Sequence, residues 1–88
     1  NPFVVLNYAI ALFYSGEKQE AFKIVNDLQR NTFLNQYYLL NATLGKMYFL
    51  EGEHKRARDY YMKTLAQTNF QVEKDYIKKM IGKRDSVQ

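Results

Sequence analysis

Apolar residues recur every three or four positions along most of this 88-residue chain, which is the period of an amphipathic α-helix. The pattern is clearest in two consecutive stretches. The first carries an apolar stripe made of Tyr37, Leu40, Leu44, Met47 and Tyr48. The second carries a stripe made of Ala57, Tyr60, Tyr61, Thr64 and Leu65. The sequence Glu51-Gly52-Glu53 between them predicts a turn, so the two stretches predict a helix–turn–helix unit.

The first 31 residues predict a second unit of the same kind. Asn1-Pro2 favours a helix start, and Ser15-Gly16 favours the end of that helix. A further helix is expected over about 17–30, with a stripe of Ala21, Ile24, Val25 and Leu28. Asn31-Thr32 predicts a break, after which Phe33 and Leu34 are expected to pack beneath the linker.

A fifth helix is predicted over about 70–82. Thr68 and Gln71 have the spacing of a capping box at its start, with Asn69 as an alternative cap, and Gly82 is the expected stop. Its inner stripe is expected to be Val72, Tyr76, Ile77 and Met80, with Glu73 among the residues of its outer face. Residues 83–88 are expected to form a flexible tail.

The first helix is apolar on nearly every side. Of the twelve residues 3–14, eleven are apolar when alanine and tyrosine are counted. Such a helix is normally covered on more than one side. We therefore expect a face around Phe3, Leu6 and Ile10, or around Val4 and Phe13, to be covered by a preceding segment of a longer protein or by self-association. The start at Asn1, in mid-pattern, favours a fragment of a longer chain.

The two units superimpose at a period of 36 residues when Gly16 is placed on Gly52. Small residues then coincide where two helices would cross, and large ones coincide where space must be filled. The predicted structural repeat positions are Ala9, Gly16, Ala21, Gly45, Gly52, Ala57, Tyr48 and Tyr61. This layout is typical of the tetratricopeptide repeat, whose usual period is 34. It predicts an all-α, tetratricopeptide-like, right-handed stack with repeat 1 at about 2–31, repeat 2 at about 35–68 and a capping helix, and a generic helical bundle is the alternative.

Composition argues against chemistry in this chain. It has no cysteine, one histidine and four isolated glycines, so thiol chemistry, a cysteine–histidine metal site and a glycine-rich phosphate loop are excluded. We predict no enzyme activity, no metal and no cofactor, and we expect His54 to be an exposed surface residue. The missing cysteines fit a reducing cytoplasm, and no apolar run is long enough to predict a membrane span.

The net charge of +4 lies entirely in the second half of the chain, where residues 53–88 hold nine basic and five acidic residues. A protein partner is the expected ligand. The candidate partner contacts are Tyr14, Tyr38, Tyr60, Lys55, Arg56, Arg58 and Lys63. For the four basic residues an ordinary solvated helix face is the favoured interpretation, and a contact with an acidic partner is the alternative.

One set of residues, in its order along the chain, indicates a particular family more specifically than the general repeat pattern does. Its elements are Asn1-Pro2, Leu6 to Ala11, Tyr38-Leu39-Leu40, Ala42, Gly45, Gly52, Ala57-Arg58, Tyr61, Leu65, Asn69 and Glu73. In this order the chain resembles the C-terminal tetratricopeptide-like domain of extracytoplasmic-function sigma factors. It differs from that family at Tyr8, where arginine is usual, and near Tyr76, where a charged residue is usual.

The resemblance implies a regulatory, protein-binding domain of a bacterial transcription initiation factor. Its expected partners are upstream regions of the sigma factor, RNA polymerase or a regulator, with a homo-oligomer through the first helix as a further arrangement. Nucleic acid would then be bound only by other parts of the parent protein. Two alternatives remain open: a free-standing tetratricopeptide-like peptide-binding module, and direct nucleic-acid binding through the basic C-terminal half.

Overall fold

The computed structural model describes residues 1–31 and 37–86, and every regular element in these two ranges is an α-helix. The helices are α1 (Pro2–Tyr14), α2 (Lys18–Leu28), α3 (Tyr38–Leu50), α4 (His54–Gln67) and α5 (Gln71–Ser86). The predicted all-α class is therefore confirmed. Phe33, Leu34 and most of the predicted linker lie outside the described residues. None of the five described helices is long and apolar enough to cross a membrane.

The turns within the two helix pairs have the same backbone construction. Gly16 and Gly52 both adopt positive φ, at 102° and 78°, a conformation that glycine adopts without steric cost. The N–H of Glu17 donates to the carbonyl of Leu12, and the N–H of Glu53 donates to the carbonyl of Tyr48, each at 2.9 Å. The two turns therefore repeat at an offset of 36 residues, as the sequence predicts.

Small residues are buried at the predicted helix crossings. Ala9 and Ala21 are fully buried in the first pair, and Gly45 and Ala57 are buried in the second. A Cβ added to Gly45 would lie only 2.7 Å from two ring carbons of Tyr61. The absence of a side chain at this position therefore lets α3 and α4 approach closely around the Tyr61 ring.

The buried side chains form two neighbouring cores. The first joins α1, α2 and α3 through Leu6, Ala9, Phe13, Ala21, Val25, Leu40, Leu44 and Met47. The second joins α4 and α5 through Ala57, Tyr61, Ile77 and Met80, with Ala42 and Phe49 of α3 packed against it. Because α3 takes part in both cores, it is the central helix of the chain.

The last helix is longer than predicted. It continues through Gly82 to Ser86, so Gly82 does not end the helix and residues 83–86 are helical, while 87–88 lie outside the described residues. Gly82 does not have the positive φ that characterises a glycine stop. A glycine inside a helix costs only about 1 kcal/mol, which is too little to end a helix that the neighbouring residues favour.

The predicted capping box of Thr68 and Gln71 does not form, because α5 begins only at Gln71 and the N–H of Thr68 donates to the carbonyl of Thr64. The Thr68 hydroxyl donates to the Glu73 carboxylate at 2.5 Å, and the N–H of Phe70 donates to the Thr68 hydroxyl oxygen at 3.3 Å. The Gln71 amide instead donates to Asp75 at 2.8 Å. Because α5 begins at Gln71, the residue that reaches back to Thr68 is Glu73 in its first turn. Glu73 is therefore half-buried and does not lie on the outer face.

Candidate protein-interaction groove

A groove follows the first helix of each pair and the last helix, α5. It consists of two adjoining cavities, of about 210 Å³ between α1 and α3 and about 400 Å³ between α3 and α5. Leu39, Ala42 and Tyr76 line both cavities. We call this surface the α1–α3–α5 groove. Its lining is Ile10, Phe13, Tyr14, Tyr38, Leu39, Ala42, Thr43, Lys46, Met47, Thr64, Val72, Glu73, Tyr76 and Ile77.

The groove wall holds large apolar side chains that are accessible to a partner. Tyr14 is 65% exposed, Val72 is 81% exposed, Tyr76 is 50% exposed and Leu39 is 37% exposed. When a partner covers apolar surface of this kind, each Å² removed from water contributes about 25 cal/mol to the free energy of association. The groove is thus suited to apolar side chains of a ligand.

Two charged side chains mark different parts of the groove. Lys46 lines the first cavity, is half-buried, and forms no ion pair with any described carboxylate. Glu73 lines the second cavity, where its carboxylate accepts hydrogen bonds from the hydroxyls of Tyr38 and Thr68. The bond to this carboxylate raises the pKa of Tyr38 to about 12. The Lys46 ammonium is therefore available to a ligand in the first cavity, whereas the Glu73 carboxylate in the second cavity is already hydrogen-bonded within the chain.

The predicted partner tyrosines separate into two groups. Tyr14 and Tyr38 both line the groove. Tyr60 does not line it: its ring stacks on Tyr48, with centroids 5.6 Å apart and planes 8° apart. The Tyr60 hydroxyl accepts a hydrogen bond of 3.0 Å from the Gln29 amide, which ties α4 to the end of α2. Tyr60 therefore belongs to a different surface from the other two.

The predicted basic contacts lie on α4, the same helix as Tyr60. The Arg56 guanidinium lies 5.6 Å from the centroid of the Tyr48 ring, and the Lys63 ammonium lies 5.0 Å from the centroid of the Tyr60 ring. Arg56 also approaches Glu53 at 3.7 Å. Lys55 and Arg58 are exposed. The structure thus joins Arg56 and Lys63 to the Tyr48–Tyr60 stack, away from the groove.

Several groove residues were not predicted as contacts. Val72 and Tyr76 were expected on the inner stripe of the last helix, but they are exposed, and only Ile77 and Met80 of that stripe are buried. Leu39 is named only in the order of residues that resembles the sigma-factor domain, and Lys46 is in no predicted set. The available signal was a second row on α3, at 39, 42 or 43, and 46, which lies beside the core stripe at helical spacing.

The described residues show no arrangement that indicates metal binding. No group of three or more histidine, cysteine, aspartate or glutamate side chains within these residues is placed to hold a metal ion. The expectation that His54 is exposed is wrong. Its ring is half-buried and meets the ring of Phe49 nearly edge-on, with centroids 5.3 Å apart, because it begins α4 directly after the turn. Its Nδ1 atom is buried without a hydrogen-bond partner among the described residues.

Comparisons with protein-family models, with curated proteins and with solved structures give no match to this chain. In residues 1–31 and 37–86 the fold is all-helical, and its two helix pairs share the same turn construction.

Proposed function

We propose that this chain is a non-catalytic protein-interaction domain. Its helix pairs form a tetratricopeptide-like, right-handed stack of two repeats, and α5 caps the stack. The observation that carries the proposal is the lining of the α1–α3–α5 groove, which comes almost wholly from the first helix of each pair and from α5. Stacked helix pairs place equivalent helices side by side and so create extended binding surfaces of this kind.

The ligand that fits this groove is a peptide segment with bulky apolar side chains. The accessible wall of Leu39, Val72 and Tyr76 covers such side chains, while Lys46 pairs with an acidic group of the ligand. A few polar groups in a mainly apolar site are what orient a ligand. The apolar character of the groove also favours a peptide over a nucleic acid, which would require a basic surface.

Resemblance to the C-terminal domain of extracytoplasmic-function sigma factors supports a place for this domain in a bacterial transcription initiation regulator in the cytoplasm. In that setting the groove binds an upstream region of the same protein, RNA polymerase or a regulator. A free-standing peptide-binding module uses the same groove and is the second candidate. Binding of purified RNA polymerase, measured by fluorescence titration of the labelled chain, supports the first candidate over the second.

The groove itself is tested by selecting ligands from a random peptide library and measuring their affinity for two variants. Tyr76→Ser removes a half-exposed ring from the groove, whereas Tyr8→Ser removes a similarly exposed ring of α1 outside it. We expect Tyr76→Ser to weaken binding about tenfold or more, in line with the loss of one aromatic anchor. The Tyr8→Ser variant should bind like the parent chain. Equal weakening in both variants, or a library that yields no ligand, would contradict the proposal.

A further inference from the structure

The first helix exposes a straight row of apolar positions. Val4 is 61% exposed, Tyr8 is 58% exposed, and Ala11 is also exposed. Their spacings of four and three residues place them on one face of α1. We call these three residues the α1 row. None of them lines the α1–α3–α5 groove, so the row is a separate surface.

The same row occurs in α3, where it is buried. Residues 36 positions later are Leu40, Leu44 and Met47, which are 0%, 0% and 3% exposed. All three belong to the core that includes side chains of α1 and α2. In α3 this row is therefore the surface that packs on the preceding helix pair.

The last helix uses a row with the same spacing. Its members are Glu73, Ile77 and Met80. Ile77 and Met80 are buried with Ala57 and Tyr61 of α4, and Glu73 accepts the hydroxyls of Tyr38 and Thr68. The contact of α5 with the second pair thus repeats the contact of α3 with the first pair.

From this recurrence we infer that the α1 row is a docking surface for one further helix pair of the same construction. That pair packs on α1 as α1 and α2 pack on α3. The inference rests on the proposed repeat architecture, but it is independent of the groove and its ligand. An uncovered apolar end is also unusual for a stack of repeats, because terminal repeats normally present a polar outer face.

The opposite end of the chain argues against a second copy as the occupant. A copy stacked head to tail would bring the free side of its α5 to the α1 row, and exposed α5 positions there include Asp75, Lys78 and Lys79. Burying these charges without partners is costly. Two copies paired through α1 alone would offer each row a single helix, whereas the α3 row packs on two.

The test lengthens the chain by a copy of its own residues 1–36, placed directly before Asn1. This extension keeps the native linker and the 36-residue register, so the original α1 row meets a complete helix pair. We expect the extended chain to unfold at a higher urea concentration than the 88-residue chain. Tyr8→Lys should have little effect in the 88-residue chain. In the original copy of the extended chain it should lower the urea midpoint by about 1 M or more, because it then places a charge in a buried interface.

The matched control is the same substitution in the added copy, where Tyr8 again lies at the free end of the stack. It should leave the midpoint unchanged. Equal effects of Tyr8→Lys in the two copies, or no gain in midpoint on extension, would overturn the inference. Sedimentation of the 88-residue chain gives a second measurement: a dimer abolished by Tyr8→Lys would assign the row to a second copy and would also overturn it. The unfolding and sedimentation measurements do not involve Tyr76, so they can fail or succeed independently of the peptide-binding test of the groove.

Discussion

The two helix pairs share one turn and differ at one crossing. Both turns place a glycine at positive φ, and both donate the following glutamate N–H to a carbonyl five residues earlier. At the crossing, the first pair buries Ala9 and Val25, whereas the second buries Gly45 and Tyr61. The second pair thus has the smaller residue on its first helix and the larger one on its second.

This difference shows that the size of a side chain at the crossing depends on the space that the opposite helix leaves for it. The Tyr61 ring occupies the volume that a side chain at position 45 would need, since an added Cβ would lie 2.7 Å from the ring. Protein interiors are close-packed, so a larger residue on one helix requires a smaller one opposite.

Replacing Tyr61, the larger residue at the crossing of the second pair, should destabilise the chain most. Tyr61 is 1% exposed and packs in the core shared by α4 and α5. Tyr61→Val should lower the free energy of unfolding by about 3 kcal/mol, because the glycine opposite cannot fill the cavity. Urea unfolding followed by circular dichroism measures the loss. Tyr76→Val, at a half-exposed tyrosine, is the control and should cost less than about 1 kcal/mol. Similar losses in the two variants would contradict the packing argument.

Enlarging Gly45, the smaller residue at the same crossing, should also destabilise the second pair. Gly45→Ala places a methyl group against the Tyr61 ring, and overpacking of this kind costs about 1–3 kcal/mol, only partly offset by the better helix propensity of alanine. The control is Gly82→Ala, where an added Cβ meets nothing within 4 Å and the backbone is helical. It should stabilise the chain by about 0.5–1 kcal/mol. The opposite signs of the two changes, measured by thermal unfolding, are the expected result.

The contact of α5 with the second pair contains an ionisable hydrogen bond, so its contribution to stability should depend on pH. Leu40 leads the buried row of α3, whereas Glu73 leads that of α5 and accepts the Tyr38 hydroxyl. The pKa of Tyr38 is raised from 10.0 to about 12, first by this hydrogen bond. The folded pKa therefore exceeds the unfolded one, so the stabilisation is complete below about pH 10 and is lost as pH rises towards 12.

Tyr38→Phe should accordingly cost about 1 kcal/mol at neutral pH and should reduce the loss of stability between pH 10 and 12. Burial also raises the pKa of Tyr61, so part of the alkaline loss should persist in this variant. Urea midpoints at pH 8 and pH 11 give the comparison. An unchanged alkaline loss would show that Tyr38 does not contribute to it.

The smallest effect is expected from the Tyr61 hydroxyl. It is buried and has no hydrogen-bond partner among the described residues, so the packing role belongs to the ring. Tyr61→Phe should leave the free energy of unfolding within about 0.5 kcal/mol of the parent chain, or raise it. A loss comparable to that of Tyr61→Val would mean that the hydroxyl and not the ring stabilises the pair.

The sequence predicts the helices and the turns well because both depend on local signals. The periodic stripes locate the buried apolar side chains of α2 and α3, although not the buried Asn41, and the two glycines locate the turns. The predicted exposed face of α1 was partly wrong. Phe3 and Val4 are exposed as expected, but Leu6 and Phe13 are buried, and the exposed residues that the prediction lacks are Val5, Tyr8 and Tyr14. A helix that is apolar all round gives no periodic signal to choose between its faces.

The groove depends on how helices pack, which local patterns do not specify. Tyr14 and Tyr38 were predicted as contacts and line it, but Tyr60 is stacked on Tyr48 elsewhere. Val72 and Tyr76 fit the inner stripe of α5 by spacing alone. The rotation of α5 is set by Ile77 and Met80 in the second core and by the Thr68–Glu73 hydrogen bond, and this rotation exposes both residues to the groove.

The most direct test of the compensation is the double variant Gly45→Ala with Tyr61→Val, which gives the second pair the alanine and valine of the first. Its free energy of unfolding is compared with those of the two single variants. If the two positions share one space, the methyl group fills part of the cavity, and the double variant should be more stable than the sum of the single losses predicts by about 1 kcal/mol or more. Losses that simply add would show that the two side chains do not share that space, and the account of the helix pairs as two solutions of one packing arrangement would be wrong.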